Sequence, residues 1–133
     1  DAVDPSGLVV KGAGGAMVRE RIVAEAAARF LVLVDGPKVV ASLDEWGVLR
    51  LAVVPFAADA VAASLADLSP VRRPVRRDDG MPWIDLSVPA GADWRRVARR
   101  ARGTAGVLDH GLFVVPLGNV IVGSPDGTAS PAG

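Results

Sequence analysis

The chain has 133 residues, half of them apolar, with fifteen basic and fifteen acidic side chains, one histidine and no cysteine. That balance supplies no global field to draw in nucleic acid or an anionic membrane, and the missing cysteines exclude a disulfide framework, a thiolate nucleophile and a Cys-ligated metal. No apolar run approaches the roughly 18 residues that cross a bilayer, so a soluble protein with a packed core and a small partner is expected.

The chain opens at Asp1 with neither a methionine nor a basic stretch followed by an apolar one, so no signal peptide is read and the start is taken as a cut edge. An extended acidic segment carrying Asp1 and Asp4 leads to a short β-branched strand, Leu8 to Val10. Lys11 and the loop Gly12-Ala13-Gly14-Gly15 follow. From Ala16 to Arg29, Val18, Ile22, Val23 and Ala26 recur at helical spacing between Arg19, Glu20, Arg21 and Glu25, which predicts a helix with one buried face. Phe30 to Val34 is a continuous apolar run closed by Asp35-Gly36-Pro37, the pattern of a parallel-sheet strand buried on both faces.

Near Leu43 the pattern changes. Val48 to Val54 reads as a strand, Ala57 to Leu68 as a helix, and Val71 to Arg77 with Trp83 to Val88 as a hairpin around Asp78-Asp79-Gly80. Asp93 is a candidate N-cap for an arginine-rich helix reaching Ala101, and Val107 to Val115 is a further strand. Strand, helix, strand, strand, helix, strand is the ferredoxin-like order. A last strand near Val120 to Val122 precedes Ser124-Pro125-Asp126-Gly127 and a small, polar tail expected to be mobile. One helix and about three short parallel strands cannot cover both faces of the first layer, so further covering surface is expected, from an upstream segment or a partner chain.

A lysine followed by a glycine loop and a helix N-terminus lets backbone N–H groups and an ammonium face an anion or a developing oxyanion. Such loops also arise for steric reasons alone. Glu20, about one turn into the helix, is able to face the same space as Lys11 or to stand in solvent between Arg19 and Arg21. Lys38 lies at the carboxyl edge of a buried strand, where open α/β sheets place ligands, or is an ordinary turn lysine. His110, the sole histidine, leaves no His cluster for a metal and is read as structural. Nine of the fifteen basic residues fall between Arg72 and Arg102. A nucleic-acid face there would want stacking aromatics, and the segment offers only Trp83 and Trp94, so nucleic acid is not expected.

Asp1-Ala2-Val3-Asp4-Pro5, Val10-Lys11-Gly12-Ala13-Gly14-Gly15-Ala16 and Arg19-Glu20-Arg21-Ile22-Val23 resemble, in order and spacing, the core of type A ribose-5-phosphate isomerases. The likeness continues through Phe30 to Lys38, Val53-Val54-Pro55-Phe56, Gly106 to Phe113 and Val120 to Gly127. It implies an α/β fold: a Rossmann-like parallel-sheet catalytic domain, residues 1–43 with 117–133, partial in this chain, interrupted by a ferredoxin-like lid, residues 44–116. It also implies interconversion of ribose 5-phosphate and ribulose 5-phosphate through an enediolate, without metal or cofactor. Glu20 would be the proton acceptor, Lys11 the oxyanion stabiliser, and Asp1 would assist ring opening, while Gly12, Ala13, Gly14 and Lys38 would bind substrate.

Ala2 and Ala13 depart from the family's usual glutamate and glycine, and the family's phosphate loop and first catalytic aspartate have no counterpart among these residues. Little turnover is therefore expected from the isolated chain. The resemblance further implies a cytoplasmic homodimer or homotetramer that binds a sugar phosphate. A noncatalytic sugar-phosphate sensor is the alternative.

Overall fold

The computed structural model describes residues 1–74 and 80–133. The expected strand end at Arg76 and Arg77 and the turn at Asp78-Asp79 lie outside the described residues. The described residues form a mixed α/β protein whose strands lie in three sheets. In the first, β2 (Leu8–Val10) lies between β1 (Ala2–Val3) and β8 (Leu112–Val114), antiparallel to both. In the second, β9 (Val120–Gly123) runs parallel to β3 (Val32–Asp35) and antiparallel to β10 (Ala129–Pro131). The third is antiparallel, with β5 (Val71–Arg73), β6 (Trp83–Ser87), β4 (Val48–Val53) and β7 (Val107–His110) in that order across it.

The third sheet follows from period-two burial. β4 and β6 are its inner strands, with Leu49 and Leu51 of β4 fully buried and Ile84 and Leu86 of β6 in the same core. Helix α2 (Ala58–Ser64) adds Val61, and α3 (Trp94–Arg102) adds Trp94, Ala98 and Ala101, leaving its arginines outside. The Asp93 side chain accepts the Arg96 backbone N–H at 3.1 Å, satisfying a donor at the start of α3 that the helix itself leaves free. A second core joins Val9, Met17, Val32, Phe113 and Val120 beneath the other two sheets.

Several sequence expectations are corrected. Helix α1 spans Met17–Ala26 and stops short of Arg29. Its fully buried residue is Met17, whereas Ile22 and Val23 are 62% and 63% exposed, because none of the described elements packs over that side. Strand β3 is buried on one face only: Val32 and Val34 point inward and Leu33 is 75% exposed. The parallel ladder is confined to β3 and β9, with one parallel bridge between Val3 and Val39. The predicted strand Val107 to Val115 is broken at Gly111 into β7 and β8, which serve different sheets. The tail is paired through β10, Ser130 lying opposite Val122.

Candidate active site

Strand β2 ends by delivering Lys11 to the foot of the glycine loop, and the Lys11 backbone N–H is held by the Gly111 carbonyl at 2.7 Å. The loop turns sharply. Gly12 and Gly15 adopt φ of +113° and +91°, a region closed to most L-residues, and the Gly15 N–H closes the turn on the Gly12 carbonyl at 3.2 Å. Met17, wholly buried against Gly12, fixes the first turn of α1, a burial that contributes about 2 kcal/mol. Starting the helix there places Glu20 on the side facing Lys11.

Lys11 Nζ lies 2.9 Å from Asp1 Oδ2 and 3.1 Å from Glu20 Oε1, with the lysine side chain only 11% exposed. One ammonium thus joins two carboxylates at the mouth of the loop. Beside it is a cleft of about 340 Å³ lined by Lys11, Arg19, Glu20, Val23, Phe30 and residues 31–33. Ala13 and Gly14 are exposed, and among the described residues their amides donate to no protein group, which leaves both free to face a ligand. Lys38 makes no direct contact with this cluster, although burial, together with its charge and that of Lys11, lowers the pKa of the Asp1 amino group. Lys38 Nζ is 3.5 Å from Asp35 Oδ1, in a second cleft lined by Leu33, Val34, Ile121, Gly123 and Ala129.

Of the residues singled out from sequence, Asp1, Lys11 and Glu20 therefore meet, Gly12, Ala13 and Gly14 flank them, and Lys38 does not touch them. Among the described residues no cluster of three or more His, Cys, Asp or Glu is arranged to hold a metal. His110 is structural: its Nδ1 accepts the Leu112 N–H at 3.2 Å, and burial, aided by the Arg21 charge, pushes its pKa below the ordinary histidine value.

Two arginines at the site were missed by sequence reasoning. Arg21 Nε donates to Asp109 at 3.0 Å, while Nη2 donates to the carbonyls of His110 and Leu112 at 2.9 and 2.7 Å. Its guanidinium also lies 3.8 Å from the centre of the Phe113 ring. Arg50, from β4, donates through Nη1 to the Gly12 carbonyl at 3.2 Å. The one signal in the sequence is a charge set in an otherwise apolar strand, Arg50 in β4 and Asp109 in β7.

The sequence profile of the ribose 5-phosphate isomerase A (phosphoriboisomerase A) family matches residues 1–127. Ribose-5-phosphate isomerase A of Deinococcus radiodurans is 35% identical over 96% of this chain and 59% of its own length; that of Thermomicrobium roseum is 39% identical over 90% and 54%. Among solved structures, ribose 5-phosphate isomerase A of Methanocaldococcus jannaschii superposes with a TM-score of 0.84 at 28% identity, covering 98% of this chain and 62% of that one. A D-ribose-5-phosphate isomerase in complex with phospho-erythronic acid gives 0.82 at 28% identity, with the same coverage. The chain thus spans somewhat over half the length of the curated relatives it matches.

Proposed function

The chain belongs to the ribose 5-phosphate isomerase A family, and from that premise we propose that it serves an aldose–ketose isomerase acting on ribose 5-phosphate and ribulose 5-phosphate. The observation that carries the proposal is the placement of one ammonium between two carboxylates, Lys11 Nζ at 3.1 Å from Glu20 and 2.9 Å from Asp1, beside a loop whose Ala13 and Gly14 amides have no acceptor among the described residues. Isomerisation moves a proton between adjacent carbons while negative charge develops on the neighbouring oxygens. Glu20 takes the proton from C2 of the open-chain aldose and returns it to C1, while the hydroxyl proton passes from O2 to O1 of the enediolate. Lys11 and the amides of Ala13 and Gly14 face the enediolate oxygens, each preorganised donor stabilising that charge by about 3 kcal/mol once water is excluded. Asp1 assists opening of the sugar ring, Gly12 shapes the loop, and Lys38 binds the substrate from beyond the carboxyl end of β3.

In the same reading the four-stranded sheet is a ferredoxin-like lid within residues 44–116, and residues 1–43 with 117–133 belong to a Rossmann-like catalytic domain. The order β7-β4-β6-β5, with α2 and α3 as the two crossovers, supports the first assignment, and the parallel β3–β9 ladder supports the second. The protein is read as a cytoplasmic homodimer or homotetramer. The exposed Ile22, Val23 and Leu33 supply apolar surface that a further chain or segment would cover.

The test is formation of ribulose 5-phosphate from ribose 5-phosphate by the polypeptide as its gene encodes it, beside the Glu20→Gln variant. Loss of a general base is expected to lower kcat about a hundredfold or more while binding of phospho-erythronic acid persists. Undiminished turnover by the variant would remove Glu20 from the mechanism. Binding without turnover by the unaltered protein would establish a sugar-phosphate sensor instead.

A further inference from the structure

Arg50 projects from β4 and every edge of its guanidinium is occupied. Nε and Nη2 donate to the two oxygens of the Asp85 carboxylate at 2.5 and 2.7 Å, a fork-to-fork pair that fixes the plane of the group. Nη1 is then left to donate to the Gly12 carbonyl at 3.2 Å, and the Trp83 ring lies 5.0 Å from the guanidinium carbon. Asp85 is 5% exposed and is held from its other side by Arg73 Nε at 2.8 Å. Burial alone would raise the Asp85 carboxyl. The hydrogen bonds from Arg50 and Arg73 outweigh it and hold the group below its ordinary value, so it stays ionised and the fork stays formed at neutral pH.

The carbonyl that Arg50 holds belongs to the Gly12–Ala13 peptide. That unit is planar, so its N–H points opposite to its C=O. With the carbonyl turned toward β4, the Ala13 N–H is turned away from β4. Gly12 has no Cβ to restrict it, and the peptide on its carboxyl side is free to rotate to alternative orientations unless something outside the loop holds it. The internal Gly15 N–H contact, at 3.2 Å, is one restraint on that carbonyl, and Arg50 is the second, carried by a different sheet.

We propose that Arg50 is a positioning residue for the Gly12–Gly15 loop: by holding the Gly12 carbonyl against β4 it keeps the Ala13 amide oriented as an anion donor. The inference rests on the isomerase reading for what that donor does, and it adds that the antiparallel sheet takes part in building the site. Arg50 lines a small cleft with Asp1, Lys11 and Ala13, but its guanidinium donors are committed to Asp85 and the Gly12 carbonyl, so its removal acts through the loop. A lysine at position 50 reaches the carbonyl but cannot also make the bidentate pair with Asp85, so it restores the function only in part.

The experiment uses the polypeptide as encoded and compares Arg50→Met, Arg50→Lys and Lys11→Met. For Arg50→Met, kcat is expected to fall about tenfold to a hundredfold with KM within about threefold, because a misaligned donor is missed most in the transition state. Arg50→Lys recovers part of the loss. A merely structural role would reduce the folded fraction and leave kcat per folded molecule unchanged. In parallel, the ¹⁵N order parameters of Ala13 and Gly14 are expected to drop in Arg50→Met from values typical of ordered backbone to below about 0.6. Turnover within twofold of the unaltered protein, or unchanged order parameters, overturns the role of Arg50. If instead the unaltered protein has no turnover and Lys11→Met no effect on phospho-erythronic acid binding, the isomerase reading fails, and the order parameters alone decide whether Arg50 holds the loop.

Discussion

Asp109 is the sharpest test of how α1 is fixed against the rest of the chain. Its carboxylate is 2% exposed and accepts from Arg21 Nε at 3.0 Å and from Arg102 Nη1 at 2.6 Å. Arg102 is 54% exposed, so its half of the pair is largely screened and contributes about 0.5 kcal/mol. Arg21 is mostly buried, and its charge-assisted bond counts nearly in full, about 2 kcal/mol. Asp109→Ala removes both and leaves Arg21 with only two carbonyl partners, a total near 3 kcal/mol, at the lower end of what breaking a buried pair costs. For a domain of this size that lowers Tm by about 10 °C. Urea unfolding of Asp109→Ala, Arg21→Met and the double variant gives the coupling directly, and about 2 kcal/mol is expected. A coupling under about 0.5 kcal/mol would refute the claim that this pair locks α1 to β7.

At Gly106, with φ of +94°, an added Cβ would stand 2.2 Å from the Ala57 Cβ; Gly106→Ala is expected to cost about 3 kcal/mol in chemical denaturation, and adding Ala57→Gly should recover only the steric part, since the backbone strain remains. His110 has a folded-state pKa below its reference of 6.5, so the unfolded chain binds the proton more readily. Stability is full above about pH 6.5 and declines as pH falls from there through the lowered folded value, and a Tm series from about pH 8 to about 5 should show a slope that His110→Gln lacks. The Lys38–Asp35 pair is exposed, so Lys38→Met should leave Tm within about 1 °C, while the proposed substrate contact predicts KM raised about tenfold in the coupled assay.

The antiparallel sheet was legible because its strands alternate and its turns are marked: Leu49 and Leu51 inward, Asp93 at the start of α3. The meeting of Lys11 with Glu20 was not decided by spacing, which allowed Glu20 to face Lys11 or to stand in solvent between Arg19 and Arg21; only the family resemblance put the two in one site. Periodicity along α1 named largely the wrong residues as its packed face: Met17, Val18, Arg21 and Ala24 turn toward the rest of the chain, while Ile22, Val23 and Ala26 are exposed, because a pattern records which residues could pack and not what is there to pack on them. The break at Gly111 carries no polar signal. Its cause is distant in sequence: a Cβ there would meet the Lys11 carbonyl at 2.3 Å, so the close approach of β2 requires glycine. Arg50 stood out only as a charge in an apolar strand, with nothing to tie it to the site, because its partners Asp85 and Gly12 lie 35 and 38 positions away.

These long-range contacts change how the ion pair at the site is understood. A lysine and a glutamate with 11% and 35% of their side chains in solvent attract each other too weakly to define their own geometry, an interaction of about 1 kcal/mol at most set against the rotamer entropy of two long side chains. The geometry is imposed by the backbone on each side. Lys11 is held through its N–H by Gly111, its loop by Arg50, and α1 by Arg21 on Asp109 and on the carbonyls of His110 and Leu112. These anchors sit on β4 and β7, at the Gly111 turn, and on Leu112 at the start of β8. The antiparallel sheet is therefore the frame against which ammonium and carboxylate are aligned, and a disturbance of β4 or β7 should reach the site even where it leaves Lys11 and Glu20 untouched.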